Sequence, residues 1–156
     1  MSAEVQLWSH EAEAGLISSC VNGGPAAVDE AADAADEAWF FSPLNRLAWQ
    51  VLRGMSARRA PVDLLTFTEA FRQTGELDKI EGGAGYLTAE WARPECGAAT
   101  VGHWAEVMRD YWRRREMLRV SAEIAIAARD FGVRGEDALD AAEKALMDLR
   151  DRKSVV

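Results

Sequence analysis

With 156 residues, 28% of them charged and only four prolines, the chain is long enough for one mainly helical domain that needs neither a disulfide nor a metal to fold. Its formal net charge of −8 disfavours strong binding to a phosphate backbone, because such binding depends on lysines and arginines that release counterions. No apolar run approaches the roughly 20 residues of a membrane span, and Cys20 and Cys96 lack metal-ligand spacing, so we expect a reduced, cytoplasmic protein.

The first predicted helix begins at Ser9, a good N-cap, with Glu11 and Glu13 in the first turns, where the helix dipole favours carboxylates. The segment Asn22-Gly23-Gly24-Pro25 should end it, since glycine permits a left-handed C-cap and proline cannot continue a helix. Ser42-Pro43 predicts the start of an amphipathic helix.

The middle of the chain predicts two shorter helices. Thr66 and Glu69 have the spacing of a capping box, and Gly75 should terminate the helix that they begin. Gly82-Gly83 predicts a turn into a brief helix that carries Tyr86. No useful length of this region alternates apolar and polar residues, so we predict no strands.

The longest periodic stretch begins at Thr100 and is broken at Gly132. A second apolar series follows, and two helices joined by a short turn predict an antiparallel hairpin. A hairpin cannot bury its far face alone, so its partner is either the rest of the domain or a second copy. The predicted fold is all-α: a compact helical bundle over residues 5–98, a long antiparallel hairpin over 100–151, which the family resemblance given below implies is used for dimerisation, and a tail or the start of a linker over 152–156.

Two clusters admit a catalytic interpretation. His10, Glu11 and Glu13 resemble half a metal site without a second clear ligand, so capping and solvation are the preferred interpretation, and a small metal-dependent enzyme is the alternative. The Gly82–Gly85 segment lacks the lysine and hydroxyl of a phosphate-binding loop, and the chain contains no Gly-x-x-x-x-Gly-Lys-[Ser/Thr] motif. We therefore expect no catalysis and no cofactor.

The densest basic patch is Arg113-Arg114-Arg115 with Arg109 and Arg119. Contact with nucleic acid is one interpretation. The other is pairing with Asp110 and Glu116 on the same helix, or with the acidic half of a neighbouring molecule, and the acidity of the chain favours it.

Several segments share their order and spacing with one known family. They are Ser9-His10-Glu11-Ala12-Glu13, Phe40-Phe41, Pro61-Val62-Asp63, Gly75-Glu76-Leu77, Gly82-Gly83-Ala84-Gly85-Tyr86-Leu87, Trp104-Ala105-Glu106-Val107-Met108 and Arg114-Arg115-Glu116-Met117-Leu118. Over roughly residues 9–150 the chain resembles the N-terminal domain of the DnaB-type bacterial replicative DNA helicases. It departs from that family at Ser18-Ser19, where a Gly-Gly pair is usual, and at Asn45, which replaces a histidine.

The resemblance implies a non-catalytic collar domain that pairs as a homodimer or a trimer of dimers, sits on the helicase motor domain and docks the helicase-binding domain of primase. A stand-alone paralogue without a motor, which regulates or loads a helicase, is the alternative. The predicted hairpin interface comprises Trp104, Met108, Tyr111, Leu118, Ala122, Leu139, Leu146 and Leu149. The candidates for primase docking are Tyr86, Leu118 and Ile124.

Overall fold

The structure is a computed structural model that describes residues 5–152, and all regular structure in this range is helical. The prediction of an all-α fold without strands is therefore confirmed for these residues, and none of their helices is long and apolar enough to cross a membrane. Of the predicted tail, residues 153–156 lie outside the described range. The helices are α1 (His10–Gly23), α2 (Pro25–Ala34), α3 (Pro43–Ala57), α4 (Leu64–Arg72), α5 (Ala84–Trp91), α6 (Val101–Arg129) and α7 (Gly135–Asp151), with 3-10 turns at Glu37–Trp39, Leu77–Lys79 and Ala98–Thr100.

Local signals at three helix ends are confirmed. The Ser9 hydroxyl accepts a hydrogen bond from the backbone N–H of Ala12 at 3.1 Å, and the Ser42 hydroxyl accepts one from that of Asn45 at 3.2 Å. Gly24 has a φ of 79°, a left-handed conformation that glycine adopts without steric cost, and it separates α1 from α2. These ends depend on side chains within four residues, which is why the sequence alone predicts them.

The capping box of α4 lies three residues earlier in the chain than predicted. Asp63, not Thr66, is the N-cap: its carboxylate accepts from the N–H of Thr66 at 2.8 Å, and the Thr66 hydroxyl accepts from the N–H of Asp63 at 2.9 Å. The N–H of Thr66 holds the pKa of Asp63 below its usual value. Glu69 instead forms an ion pair with Arg72 at 2.6 Å. Asp63 and Thr66 are both good caps, and the extended Pro61-Val62 segment leads the chain into the earlier one.

The core of the bundle is built around α1, whose residues 12–21 are all buried. Helices α2, α3, α5 and α6 pack against it. The Ser18-Ser19 pair fits this interior because both hydroxyls are hydrogen bonded: Ser18 donates to the carbonyl of Glu90 at 3.2 Å, and Ser19 donates to that of Gly15 at 2.8 Å. Buried hydroxyls with partners avoid the desolvation cost of unpaired ones.

Helices α6 and α7 form the predicted hairpin, but α6 also belongs to the bundle. Val101, Ala105, Met108 and Trp112 on its first half are buried in the core, and α6 packs against both α1 and α2. Further along, Val120, Ile124 and Ala127 line the crevice against α7. The first half of α6 thus packs in the bundle, and its second half packs against α7.

A close approach between α1 and α6 makes Gly15 sensitive to substitution. A Cβ atom added at Gly15 would lie 2.6 Å from Cε2 of Trp104, closer than packed carbon atoms come. We expect Gly15→Ala to lower the free energy of unfolding by about 1–3 kcal/mol, because overpacking displaces the indole. Urea unfolding followed by circular dichroism measures this change.

Gly102 is the matched control, since a Cβ atom added there meets no heavy atom within 4 Å. Gly102→Ala lies in the first turn of α6, and we expect it to raise the free energy of unfolding by up to about 1 kcal/mol through helix propensity. Equal effects of the two substitutions would contradict the packing of Trp104 on Gly15.

Candidate interaction surface

The predicted hairpin interface divides into residues that face their own chain and residues that face solvent. Met108 and Leu149 are buried in the core, and Trp104 is half-buried against Gly15. Leu118, Leu139 and Leu146 are 61%, 60% and 49% exposed. The first three side chains stabilise the fold of the protomer, and the three leucines are available to a partner.

The change from buried to exposed along α6 follows from where the helix leaves the bundle. Steps of three and four residues lead from Met108 through Tyr111 to Leu118 and Ala122, so these positions share one side of the helix. Met108 on this side packs into the bundle, and Tyr111 is half-buried. Leu118 and Ala122 lie beyond the bundle and are exposed.

Further exposed apolar side chains lie on the hairpin, where sequence analysis did not single them out. They are Met117, Ile126, Phe131, Val133 and Met147. Phe131, in the turn between α6 and α7, is 99% exposed. It borders a cavity of about 330 Å³ whose lining also includes Ile124, Val133 and Leu139. Phe131 lies in the turn between the two periodic stretches of the sequence, so apolar spacing could not identify it as an exposed residue.

Three arginines of α6, Arg114, Arg115 and Arg119, form hydrogen bonds or ion pairs within the chain. Arg114 pairs with Asp110 at 2.9 Å, and Arg119 pairs with Glu116 at 2.8 Å and with Glu123 at 2.7 Å. This pairing confirms the predicted role of Asp110 and Glu116 as partners on the same helix.

Arg115 has a different role from its neighbours, because it joins three separate segments. Its guanidinium donates to the carbonyl oxygens of Leu7 at 2.9 Å and Trp39 at 2.8 Å, and it lies 5.5 Å from the ring centre of Phe41. Burial lowers the pKa of Arg115. The side chain therefore holds the segment before α1 and the turn after α2 against α6.

The three side chains of the predicted acid–base cluster do not come together. The His10 ring nitrogen Nε2 lies 2.8 Å from Oε2 of Glu90 on α5, and this hydrogen bond lowers the pKa of Glu90. Glu11 is exposed, as predicted. Among residues 5–152, no group of three or more histidine, cysteine or acidic side chains is placed to hold a metal ion.

Glu13 corrects the prediction of a solvated first-turn carboxylate, because it is only 1% exposed. Its two oxygens accept from the backbone N–H groups of Phe41 at 2.9 Å and Ser42 at 3.1 Å, and from Nδ2 of Asn45 at 3.2 Å. A carboxylate at the N-terminus of α3 is favourable because the first N–H groups of a helix lack partners within it. Glu13 thus ties α1 to the start of α3.

Tyr86, a predicted docking residue, is half-buried on α5, edge-on to Trp91 with ring centres 5.4 Å apart. Partial burial raises the pKa of Tyr86. Gly82 and Gly83 before it have φ values of 90° and 51°, which confirms the predicted turn.

The two cysteines, Cys20 and Cys96, are free and buried. Burial raises the pKa of the Cys20 thiol to about 12, so this thiol is unreactive.

Comparison with solved structures supports the fold. The crystal structure of the N-terminal domain of DnaB helicase from Mycobacterium tuberculosis superposes with a TM-score of 0.75 at 18% sequence identity, covering 92% of this chain and 99% of that one. At this level of identity the likeness establishes the architecture alone.

Comparison of sequences identifies related proteins. The replicative DNA helicase DnaC of Bacillus subtilis (strain 168) is 28% identical over 115 residues, which are 74% of this chain and 25% of that protein. The replicative DNA helicase DnaB of Haemophilus influenzae is 26% identical over 118 residues, 74% of this chain and 24% of that protein. The chain therefore spans about a quarter of the length of these relatives.

A match to a family also covers most of the chain. Residues 5–110 match the family described as the DnaB-like helicase N terminal domain. The range runs from the segment before α1 to the first third of α6, and so contains α1 to α5 completely. The chain belongs to the DnaB-like helicase N-terminal domain family.

Proposed function

We propose that this chain is a non-catalytic assembly domain of a replicative helicase, which associates with itself through the hairpin and docks primase in the cytoplasm. The distribution of exposed apolar side chains supports the proposal most directly. Among residues 5–152, eight of the eleven large apolar side chains that are exposed lie between Met117 and Met147. An apolar surface concentrated on one element is typical of a protein–protein contact.

The part of the hairpin beyond the bundle has the composition of such a contact. Leu118, Leu139 and Leu146 are accessible without any change in the packing of the protomer. Burial of each against a second copy removes apolar surface from water at about 25 cal/mol per Å². Met108 and Leu149 support this contact from inside the protomer, since they hold α6 and α7 in place.

The docking of primase, in this proposal, uses Tyr86, Leu118 and Ile124. Leu118 offers its side chain directly, whereas Tyr86 and Ile124 are half-buried and present only an edge. Because the chain is acidic, single-stranded DNA should bind to it weakly, with an affinity that falls as the salt concentration rises. In this proposal, ATP hydrolysis and translocation belong to a separate motor domain.

The experiment that tests this function compares two leucines by sedimentation and calorimetry. Wild-type protein at about 100 µM should sediment as a dimer or a larger even-numbered oligomer, a concentration that detects even micromolar affinity. Leu118→Asp places a charge in the proposed contact and should weaken association at least about tenfold. Titration calorimetry with the helicase-binding domain of the cognate primase should show a loss of at least about 1 kcal/mol for the same variant.

Leu65 on α4 is the matched control, because it is 80% exposed but lies on the bundle. Leu65→Asp should leave both self-association and primase binding unchanged. A wild-type protein that remains strictly monomeric would refute the hairpin contact. Equal losses from Leu65→Asp and Leu118→Asp would show that the hairpin is not the surface involved.

A further inference from the structure

Asn45 is a buried amide whose orientation is determined by the chemistry of its neighbours. Its Oδ1 atom accepts from the indole N–H of Trp91 at 3.0 Å, and its Nδ2 atom donates to Oε1 of Glu13 at 3.2 Å. An indole nitrogen can only donate. The two oxygens of Glu13 face only N–H donors and therefore accept. Rotating the amide by half a turn would break both contacts.

The fixed amide in turn determines the tautomer of His10. Nδ1 of His10 lies 3.3 Å from Nδ2 of Asn45, which has a second hydrogen to donate. Nδ1 must then carry a lone pair, and the proton of the neutral ring belongs on Nε2. That nitrogen lies 2.8 Å from a carboxylate oxygen of Glu90, which accepts the hydrogen bond.

Protonation of His10 breaks its hydrogen bond with Asn45 but keeps the one with Glu90. The cationic ring still donates from Nε2 to Glu90, and the opposite charge strengthens that contact. Its new N–H at Nδ1, however, points at the amino group of Asn45, so that two donors face each other. Asn45 cannot turn its oxygen toward the ring without leaving the Trp91 indole unpaired in the core.

We propose that His10 is a proton-operated joint between three helices: the neutral ring links α1 to both Asn45 on α3 and Glu90 on α5, and the protonated ring keeps Glu90 and releases Asn45. The His10 side chain is 35% exposed, so protons from solvent reach it.

Four charged groups surround the joint. Glu90 contacts the ring directly, Arg93 lies 3.3 Å from Glu90, Glu13 reaches the ring through Asn45, and Arg115 on α6 interacts electrostatically with Glu13. Glu90 accepts a hydrogen bond from the ring in both protonation states, whereas Asn45 can donate only to the neutral ring. Protonation therefore removes one of the contacts between α1 and α3, while Glu13 keeps its own bond to Asn45. The readout is the His10–Asn45 hydrogen bond rather than global stability.

The proposed change at His10 does not depend on the proposed function, but the His10 network and the proposed primase-docking surface share helix α5. This helix carries Glu90 and Trp91 of the network as well as Tyr86, a proposed docking residue. Release of Asn45 loosens the attachment of α3 to α1 while α5 stays attached to α1 through Glu90.

NMR of the whole chain tests the joint in the folded protein. The chain has only two histidines, so their ring signals are readily assigned. Above its titration, His10 should show the tautomer with the proton on Nε2. As the pH falls from about 8 to 5, the side-chain amide signals of Asn45 should shift with the same midpoint as the His10 ring, and their hydrogens should exchange faster with water.

Two variants attribute the transition to one ring. His10→Gln should abolish the pH dependence of the Asn45 amide signals, whereas His103→Gln, on α6, should leave it unchanged. A neutral His10 with its proton on Nδ1 would overturn the proposal. So would Asn45 signals that do not move while His10 titrates, or that still move in His10→Gln.

Discussion

Trp91→Ala is expected to lower the free energy of unfolding by about 3–5 kcal/mol, a large share of the roughly 5–15 kcal/mol that a domain possesses. The side chain is completely buried and meets Phe67, Phe71 and Tyr86 edge-on, with ring centres 5.9, 5.1 and 5.4 Å away. Removing it opens a cavity among these rings and leaves Oδ1 of Asn45 without its donor. Urea unfolding followed by circular dichroism measures the loss.

A graded substitution and a surface control make this prediction specific. Trp91→Phe keeps most of the ring contacts but removes the indole N–H, so we expect an intermediate loss of about 1–3 kcal/mol from the unpaired amide. Phe131→Ala removes an exposed aromatic side chain and should change stability by less than about 0.5 kcal/mol. A Trp91→Ala protein as stable as Phe131→Ala would contradict the packing described for α5.

Glu13→Ala is expected to lower the free energy of unfolding by about 3–5 kcal/mol, because it leaves two backbone N–H groups and the Asn45 amide without the carboxylate that accepts their hydrogen bonds. These donors belong to Phe41, Ser42 and Asn45 at the start of α3. Each unsatisfied buried donor costs about 1–3 kcal/mol, and the loss of a charged acceptor falls in the upper part of this range. Thermal and urea unfolding measure the effect.

Glu11 is the matched control that distinguishes the effect of the buried hydrogen bonds of Glu13 from the effect of a carboxylate at the start of a helix. Glu11 and Glu13 both lie in the first turns of α1, but Glu11 is exposed. Glu11→Ala loses only the interaction of a surface carboxylate with the helix dipole, about 0.3–1 kcal/mol. Similar losses from the two substitutions would show that Glu13 acts through the dipole of α1 and not through the bonds to α3.

The sequence by itself determined the features that depend on neighbouring residues. The ends at Ser9, Gly24 and Ser42 were predictable because a cap forms within four residues of the chain. The all-α class and the hairpin followed from apolar spacing, and the family followed from short motifs in a shared order. The start of α4 was missed because Asp63 and Thr66 are both good caps and each begins a possible capping box, so local chemistry left two possible positions for it.

Only the tertiary structure decided which side chains are buried and which are exposed. Glu13 and the α3 backbone that it binds are 28 or more residues apart, so no local pattern distinguishes it from Glu11. Met108 and Leu118 have the same spacing pattern in the sequence, yet one lies in the core and the other faces solvent. The physical reason is that periodicity determines the side of a helix on which a residue lies, whereas burial depends on what packs there. On α6 that depends on where the helix leaves the bundle.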